Sequence, residues 1–171
     1  MIIVARDAAK LEQAAVRLGG VETASVDARD QAALARALEQ LAPIDQLVIC
    51  VSGGKGAGLF ATLELDELRA AFDEKLFAQL HIARAAVPHL RANGSVTFVS
   101  AASATSVIKG TSGLAAVNGA LEAMIPTLAH ELAPVRVNAV SPGIIDTPWW
   151  NGMPKADLRR ATIRLEAAWL G

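Results

Sequence analysis

Arg136-Val137-Asn138-Ala139-Val140-Ser141-Pro142-Gly143-Ile144-Ile145-Asp146-Thr147-Pro148 is the run whose reading decides the fold. Residues 135–140 read as a short strand, and the chain leaves it abruptly. Pro142 fixes the exit angle, and Gly143 lets the backbone approach a ligand closely. A plain turn would account for Pro-Gly alone, but not for a threonine, Thr147, following at a set distance.

Reading back towards Met1, Leu114, Val117, Leu121, Met124, Leu128 and Leu132 recur at helical spacing and predict a helix over 114–132. Pro126 lies inside it, costing about 3 kcal/mol unless a kink or packing compensates. Residues 95–100 read as a strand. A long helix is predicted over about 65–91 from Leu65, Leu68, Phe72, Leu76 and Leu80, with Pro88 disturbing its last turn and Asn93-Gly94 stopping it. Residues 47–51 are a continuous apolar strand running into a glycine-rich loop at 52–58. Nearer the start, 2–5 reads as a buried strand, 8–18 as a helix ended by Gly19-Gly20, and 21–26 as another strand. Asp30 caps a helix with the stripe Leu34, Leu38, Leu41.

Apolar strands alternating with crossover helices predict an α/β class: a doubly wound parallel sheet, covered on both sides, in one domain over 1–171. Ligands of such sheets bind at the carboxyl ends of the strands.

Composition narrows the function classes. Of 171 residues 53% are apolar and 19% charged, the net charge is −1, and no basic run of five appears, so a nucleic-acid footprint is missing. A single cysteine, Cys50, excludes an internal disulfide and suits a reducing compartment. The apolar stretch after Met1 is too short for a signal peptide, and no long uncharged apolar stretch spans a membrane, so the cytoplasm is expected. His81, His89 and His130 are scattered without metal-ligand spacing, so no metal is expected.

The 136–148 run is very similar to the corresponding segment of the short-chain dehydrogenase/reductase family. There the backbone beyond Pro-Gly and the threonine hydroxyl hold the nicotinamide carboxamide. By that resemblance Pro142, Gly143, Ile145 and Thr147 would contact the cofactor. Other segments fit the same template over about 1–150. Val4-Ala5-Arg6-Asp7 resembles the end of the family's second strand, where an arginine pairs with an adenosine 2′-phosphate; Arg6 therefore points to NADP(H), with NAD(H) as the alternative and Asp7 as an acidic complication. A solvated charge at a helix start is an equal reading of Arg6. Asp27, in Val26-Asp27-Ala28, matches an adenine-contacting position, and Ser52 falls in the family's Asn-Asn-Ala-Gly segment.

The template also breaks. Carbonyl reduction in the family uses a tyrosine as proton donor, a lysine four residues on that lowers the tyrosine pKa and holds the ribose, and a serine on the substrate oxygen. Aligned on Ala120-Leu121-Glu122, the tyrosine position is Leu114, the lysine position Asn118, the serine position Ala101, and a structural asparagine position Lys75. The chain contains no tyrosine at all, so the family's usual proton delivery cannot run. Lys75, Ser103 and Asn118 are the candidates for a displaced catalytic set, with Ser100 flanking the empty serine position; a partly exposed helix charge at Lys75 and plain loop roles for the serines are the simpler readings. The family's first strand and its Gly-x-x-x-Gly-x-Gly turn would precede the segment with which this chain starts, and a last strand after Trp150 has no counterpart. Without the first strand, those at 2–5 and 47–51 must pair directly or leave backbone unpaired.

Residues 52–58 lack the ending of a phosphate loop and read as a flexible rim. Gly110-Thr111-Ser112-Gly113 lacks the second glycine of a nucleophile elbow, Leu114 standing there, so a hydrolase is remote. Trp149-Trp150 fall at the family's substrate lid, as a cover for an apolar ligand or an interface patch. Two functions follow: an oxidoreductase on a small carbonyl or alcohol, NADP-linked by ancestry, or a non-catalytic dinucleotide-fold binding or assembly subunit. Helices at 65–91 and 114–132 match those the family uses for dimer packing, so a homo-oligomer is expected with either.

Overall fold

The computed structural model describes residues 1–143; Ile145, Thr147, Trp149 and Trp150 lie outside the described residues. The elements are β1 (Ile2–Ala5), α1 (Ala8–Arg17), β2 (Glu22–Ser25), α2 (Gln31–Leu41), β3 (Ile44–Ile49), α3 (Leu65–Ala71), a π-helical turn (Phe72–Phe77), α4 (Ala78–Ala86), β4 (Leu90–Val99), α5 (Ser112–Glu131) and β5 (Arg136–Val140). The class is the α/β one expected, with every strand pair parallel.

Local chemistry sets the helix ends. Asp7 caps α1 by accepting the Lys10 N–H at 3.1 Å, and Asp30 caps α2 by accepting that of Ala33 at 2.9 Å. Gly19 and Gly20 stop α1 at φ of 80° and 83°, where a side chain would be strained, and the Gly20 N–H returns to the Ala15 carbonyl.

Among the described residues the strands form two sheets, β1-β2 and β3-β4-β5. β1 and β3 do not pair with each other. Residues 2–5 are therefore a strand but not a buried one: β1 has a partner on one side only, and Ile2 and Val4 are 38% and 45% exposed. The sheets are joined through α2, whose Leu34 and Leu38 pack with Val26, Ile44, Leu47, Ile82 and Ala86. The main core sets Ile49, Val96, Phe98 and Val137 from β3-β4-β5 against Leu76, Ala83, Val117 and Leu121 from the helices. Val48 and Val140, at alternate strand positions, point elsewhere and stay exposed.

The long helix expected over 65–91 is corrected in two ways. It is interrupted at Phe72–Phe77 by the π-helical turn, and α4 ends at Ala86, with Pro88 in a 3-10 turn. Lys75, Leu76 and Gln79 all lie on the covered side of this turn and of the start of α4. Asn93-Gly94 is not a helix stop; it lies within β4. Ile44 pairs with Leu90 but Gln46 with Ser95, so β4 bulges there, and a Cβ on Gly94 would sit 2.9 Å from the Asp45 carbonyl oxygen.

The rim loop at 52–58 is packed against α5. Gly56 is buried at φ 87°, and a Cβ on Gly113 would lie 2.4 Å from the Gly56 carbonyl oxygen. Gly113→Ala forces backbone apart at that crossing and is expected to lower unfolding stability by about 1–3 kcal/mol. A denaturant titration with an unchanged midpoint would contradict it.

Candidate active site

At the carboxyl ends of β3, β4 and β5 lies a cavity of about 210 Å³. It brings together Ser52, Lys75, Ala101, Ser103, Leu114, Asn118, Pro142 and Gly143. The four positions expected to be altered and three of the expected cofactor contacts thus share one pocket, though they come from five separate segments.

Lys75 is the charged group in its wall. It is not the partly exposed helix charge that spacing allowed: only 9% of it is accessible. Its Nζ donates to the Ser100 carbonyl at 3.0 Å, which leaves the other two ammonium protons for the cavity. Burial pushes its pKa down from the usual lysine value, and the negative charge of Glu122 partly opposes that.

Asn118 is buried in α5. Its Nδ2 donates to the Leu114 carbonyl at 2.9 Å and to Ser103 Oγ at 3.1 Å, while its Oδ1 has no partner. Since Ser103 Oγ receives that proton, its own O–H is free to donate into the cavity. Gln79, fully buried, donates to the Val51 and Val99 carbonyls at 2.8 and 3.0 Å and so splints the ends of β3 and β4. Sequence reading missed Gln79, although its spacing of three from Leu76 and seven from Phe72 puts it on the apolar helix face.

Ser100 is more than loop filling: it is buried and donates to Glu122 at 2.5 Å. On the rim, Lys55 pairs with Glu67 at 2.9 Å, and Glu74 accepts the Gly54 N–H at 3.3 Å.

The remaining candidates lie apart, at the carboxyl ends of β1 and β2. Arg6 is exposed, directly after β1. Asp7 is used as the α1 cap, so its carboxylate is engaged locally. Asp27 is held by Arg29, with Nη2 to Oδ2 at 2.6 Å and Nε to Oδ1 at 3.0 Å. Hydrogen bonds from the Arg29 side chain and backbone, with the charges of Arg29 and Arg6, lower the Asp27 pKa to about 2. Arg29 was overlooked; Asp27 two residues before it was the available signal. Among the described residues no three His, Cys, Asp or Glu side chains could share a metal ion, and no helix is long and apolar enough to cross a membrane.

A family profile described as Enoyl-(Acyl carrier protein) reductase matches residues 1–169. The chain belongs to the short-chain dehydrogenase/reductase family. Its similarity to 1-deoxy-11-beta-hydroxypentalenate dehydrogenase of Streptomyces avermitilis is 33% identity, covering 94% of this chain and 64% of that protein. L-xylulose reductase of Bos taurus is 29% identical over 91% of this chain and 67% of its own length. A solved small-chain dehydrogenase in complex with NADPH superposes with a TM-score of 0.74 at 29% identity, covering 94% of this chain and 78% of that one. The chain spans 64%, 42% and 48% of the first three curated relatives it matches. In short-chain dehydrogenase/reductase terms, the residues read from the sequence as falling at the asparagine and lysine positions, Lys75 and Asn118, line the same cavity.

Proposed function

We propose that this chain is an NADP(H)-linked oxidoreductase acting on a small carbonyl or alcohol, in which Lys75 supplies the proton that a tyrosine supplies elsewhere in the family. The observation that carries this reading is the buried Lys75 ammonium, with protons to spare, in the same cavity as Leu114 and Asn118.

The residues present fit the two ends of the cofactor. Asn118 Oδ1, buried and unpartnered, is an acceptor suited to a ribose hydroxyl. Exposed Arg6, beside the Asp27–Arg29 pair, suits an adenosine 2′-phosphate. A counterpart of the family's glycine-rich turn does not occur among the described residues. When bound, the reduced nicotinamide would supply a hydride to the carbonyl carbon. Lys75 would hold the substrate oxygen by a charge-assisted hydrogen bond and pass it a proton as negative charge develops there; solvent then reprotonates the amine. Ser103 would donate its hydroxyl to the same oxygen, held in place by the Asn118 amide. Leu114, Val117 and Ala71 make the rest of the wall apolar, which suits a small, largely apolar carbonyl compound.

Cofactor titration tests the reading. NADPH is expected to bind with enhanced fluorescence, and Arg6→Ala to weaken NADPH about tenfold while changing NADH little. No binding of either cofactor at millimolar concentration would overturn it. Binding without turnover of any carbonyl would favour the non-catalytic binding subunit instead.

Self-association is part of the proposal. Leu65 and Phe77, 63% and 47% exposed, support packing through 65–91, and the family resemblance adds 114–132. Light scattering that gives a monomer mass at micromolar concentration would refute that.

A further inference from the structure

The Lys75 amine is backed by a polar cluster that the proposed reaction does not itself use. Glu122, half-buried on α5, accepts hydrogen bonds at one oxygen, Oε1, from Ser100 Oγ at 2.5 Å and Ser141 Oγ at 2.8 Å. Ser100 follows β4 and Ser141 follows β5, so a single carboxylate oxygen bridges the ends of both strands. Those strand ends carry the site: Ser100 gives its carbonyl to Lys75, and Ser141 precedes the Pro142-Gly143 turn in the cavity wall.

We propose that Glu122 is a positioning residue for the proton donor: it ties β4 to β5 through Ser100 and Ser141, and it is the counter-charge that stands behind Lys75 across Ser100. The inference rests on the Lys75 reading above. Three features argue for it. A carboxylate oxygen that accepts from two serine hydroxyls on different strand ends is held in a fixed place behind the site. No salt bridge joins it to Lys75, so the ammonium is favoured without being locked away from the cavity. The charged groups on the rim have partners of their own: Glu74 accepts from the Gly54 N–H, and Lys55 is paired with Glu67. Glu122 is the group left to set the charge of Lys75 from the α5 side.

Glu122→Gln separates charge from geometry, because a glutamine oxygen can still accept from both serines. The direct readout is the titration of Lys75 itself. Lysines dimethylated with carbon-13 are followed by NMR, and the Lys75 signal is assigned by its loss in Lys75→Met. In Glu122→Gln the Lys75 signal is expected to titrate at lower pH than in the parent. Labelling of Lys75 by acetic anhydride at neutral pH should become roughly tenfold faster, because the neutral amine is more abundant. Should Glu122→Gln fail to fold, Glu122→Asp withdraws the charge by one methylene and is expected to move the titration the same way by less. A Lys75 titration unchanged in whichever variant folds overturns the inference, with or without turnover. Absence of turnover with the titration shifted as expected overturns only the reading it rests on.

Discussion

Lys75→Met is expected to lower kcat/KM for carbonyl reduction by about 10²–10⁴-fold while leaving the protein folded, able to bind NADPH and slightly more stable. The activity loss follows from removing the proton donor; methionine matches the length of the lysine stem but carries no proton. The stability gain is the less obvious half. A buried ammonium without an ion-pair partner costs desolvation energy, and its replacement by an apolar side chain of similar volume removes that cost, a gain of about 1 kcal/mol. A lysine kept for structural reasons gives the opposite sign. Simultaneous loss of activity and stability would therefore count against Lys75 as the acid, and full activity in the variant would end the proposal.

The pH dependence has a definite sign. Burial lowers the folded-state pKa of Lys75 below the lysine value of 10.5. Between those two values the unfolded chain binds more protons than the folded one, so unfolding free energy rises with pH across that window; below it the burial penalty is constant. Lys75→Met is expected to lack that rise. Activity runs the other way, since the acid must be protonated: kcat/KM should fall on the alkaline side, with an apparent pKa below 10.5. Unfolding curves and rate profiles on the same two proteins check both slopes.

Much of the fold was legible because its cues are local. Asp30 was readable as a cap, Gly19-Gly20 as a stop, and the stripe Leu34, Leu38 as a buried face, whereas the capping by Asp7 went unread. The family could be read from one strand and its turn. Burial was harder: residues 2–5 look like a core strand, but their exposure depends on which strand lies beside them. The π-helical turn could not be read either, since it inserts a residue into a helix without a proline or glycine to mark it. At the candidate site, sequence spacing could nominate positions but not their contacts. Leu114, Asn118, Ala101 and Lys75 could be aligned, yet the capture of Ser100 and Ser141 by Glu122 joins three segments remote in sequence.

Restoring the family's residues is expected to produce the largest gain of any change in this chain. In Lys75→Asn/Ala101→Ser/Leu114→Tyr/Asn118→Lys the amine returns to α5, a phenol is added four residues before it, and a hydroxyl occupies position 101. The four positions already line one cavity of about 210 Å³, with Leu114 in its wall. A lysine at 118 takes the place of an amide whose Oδ1 is unpartnered, so no established acceptor bond is lost. An aligned acid supported by a neighbouring cation is worth about 10²–10⁴-fold in rate, and the restored site should exceed the parent by about 10²-fold or more in kcat/KM. Its alkaline limb should then report the phenol and become insensitive to Glu122→Gln. If the fourfold variant folds and binds NADPH but reduces nothing, the cavity does not present substrate to the cofactor as it does in the family, and Lys75 loses its assigned part as well.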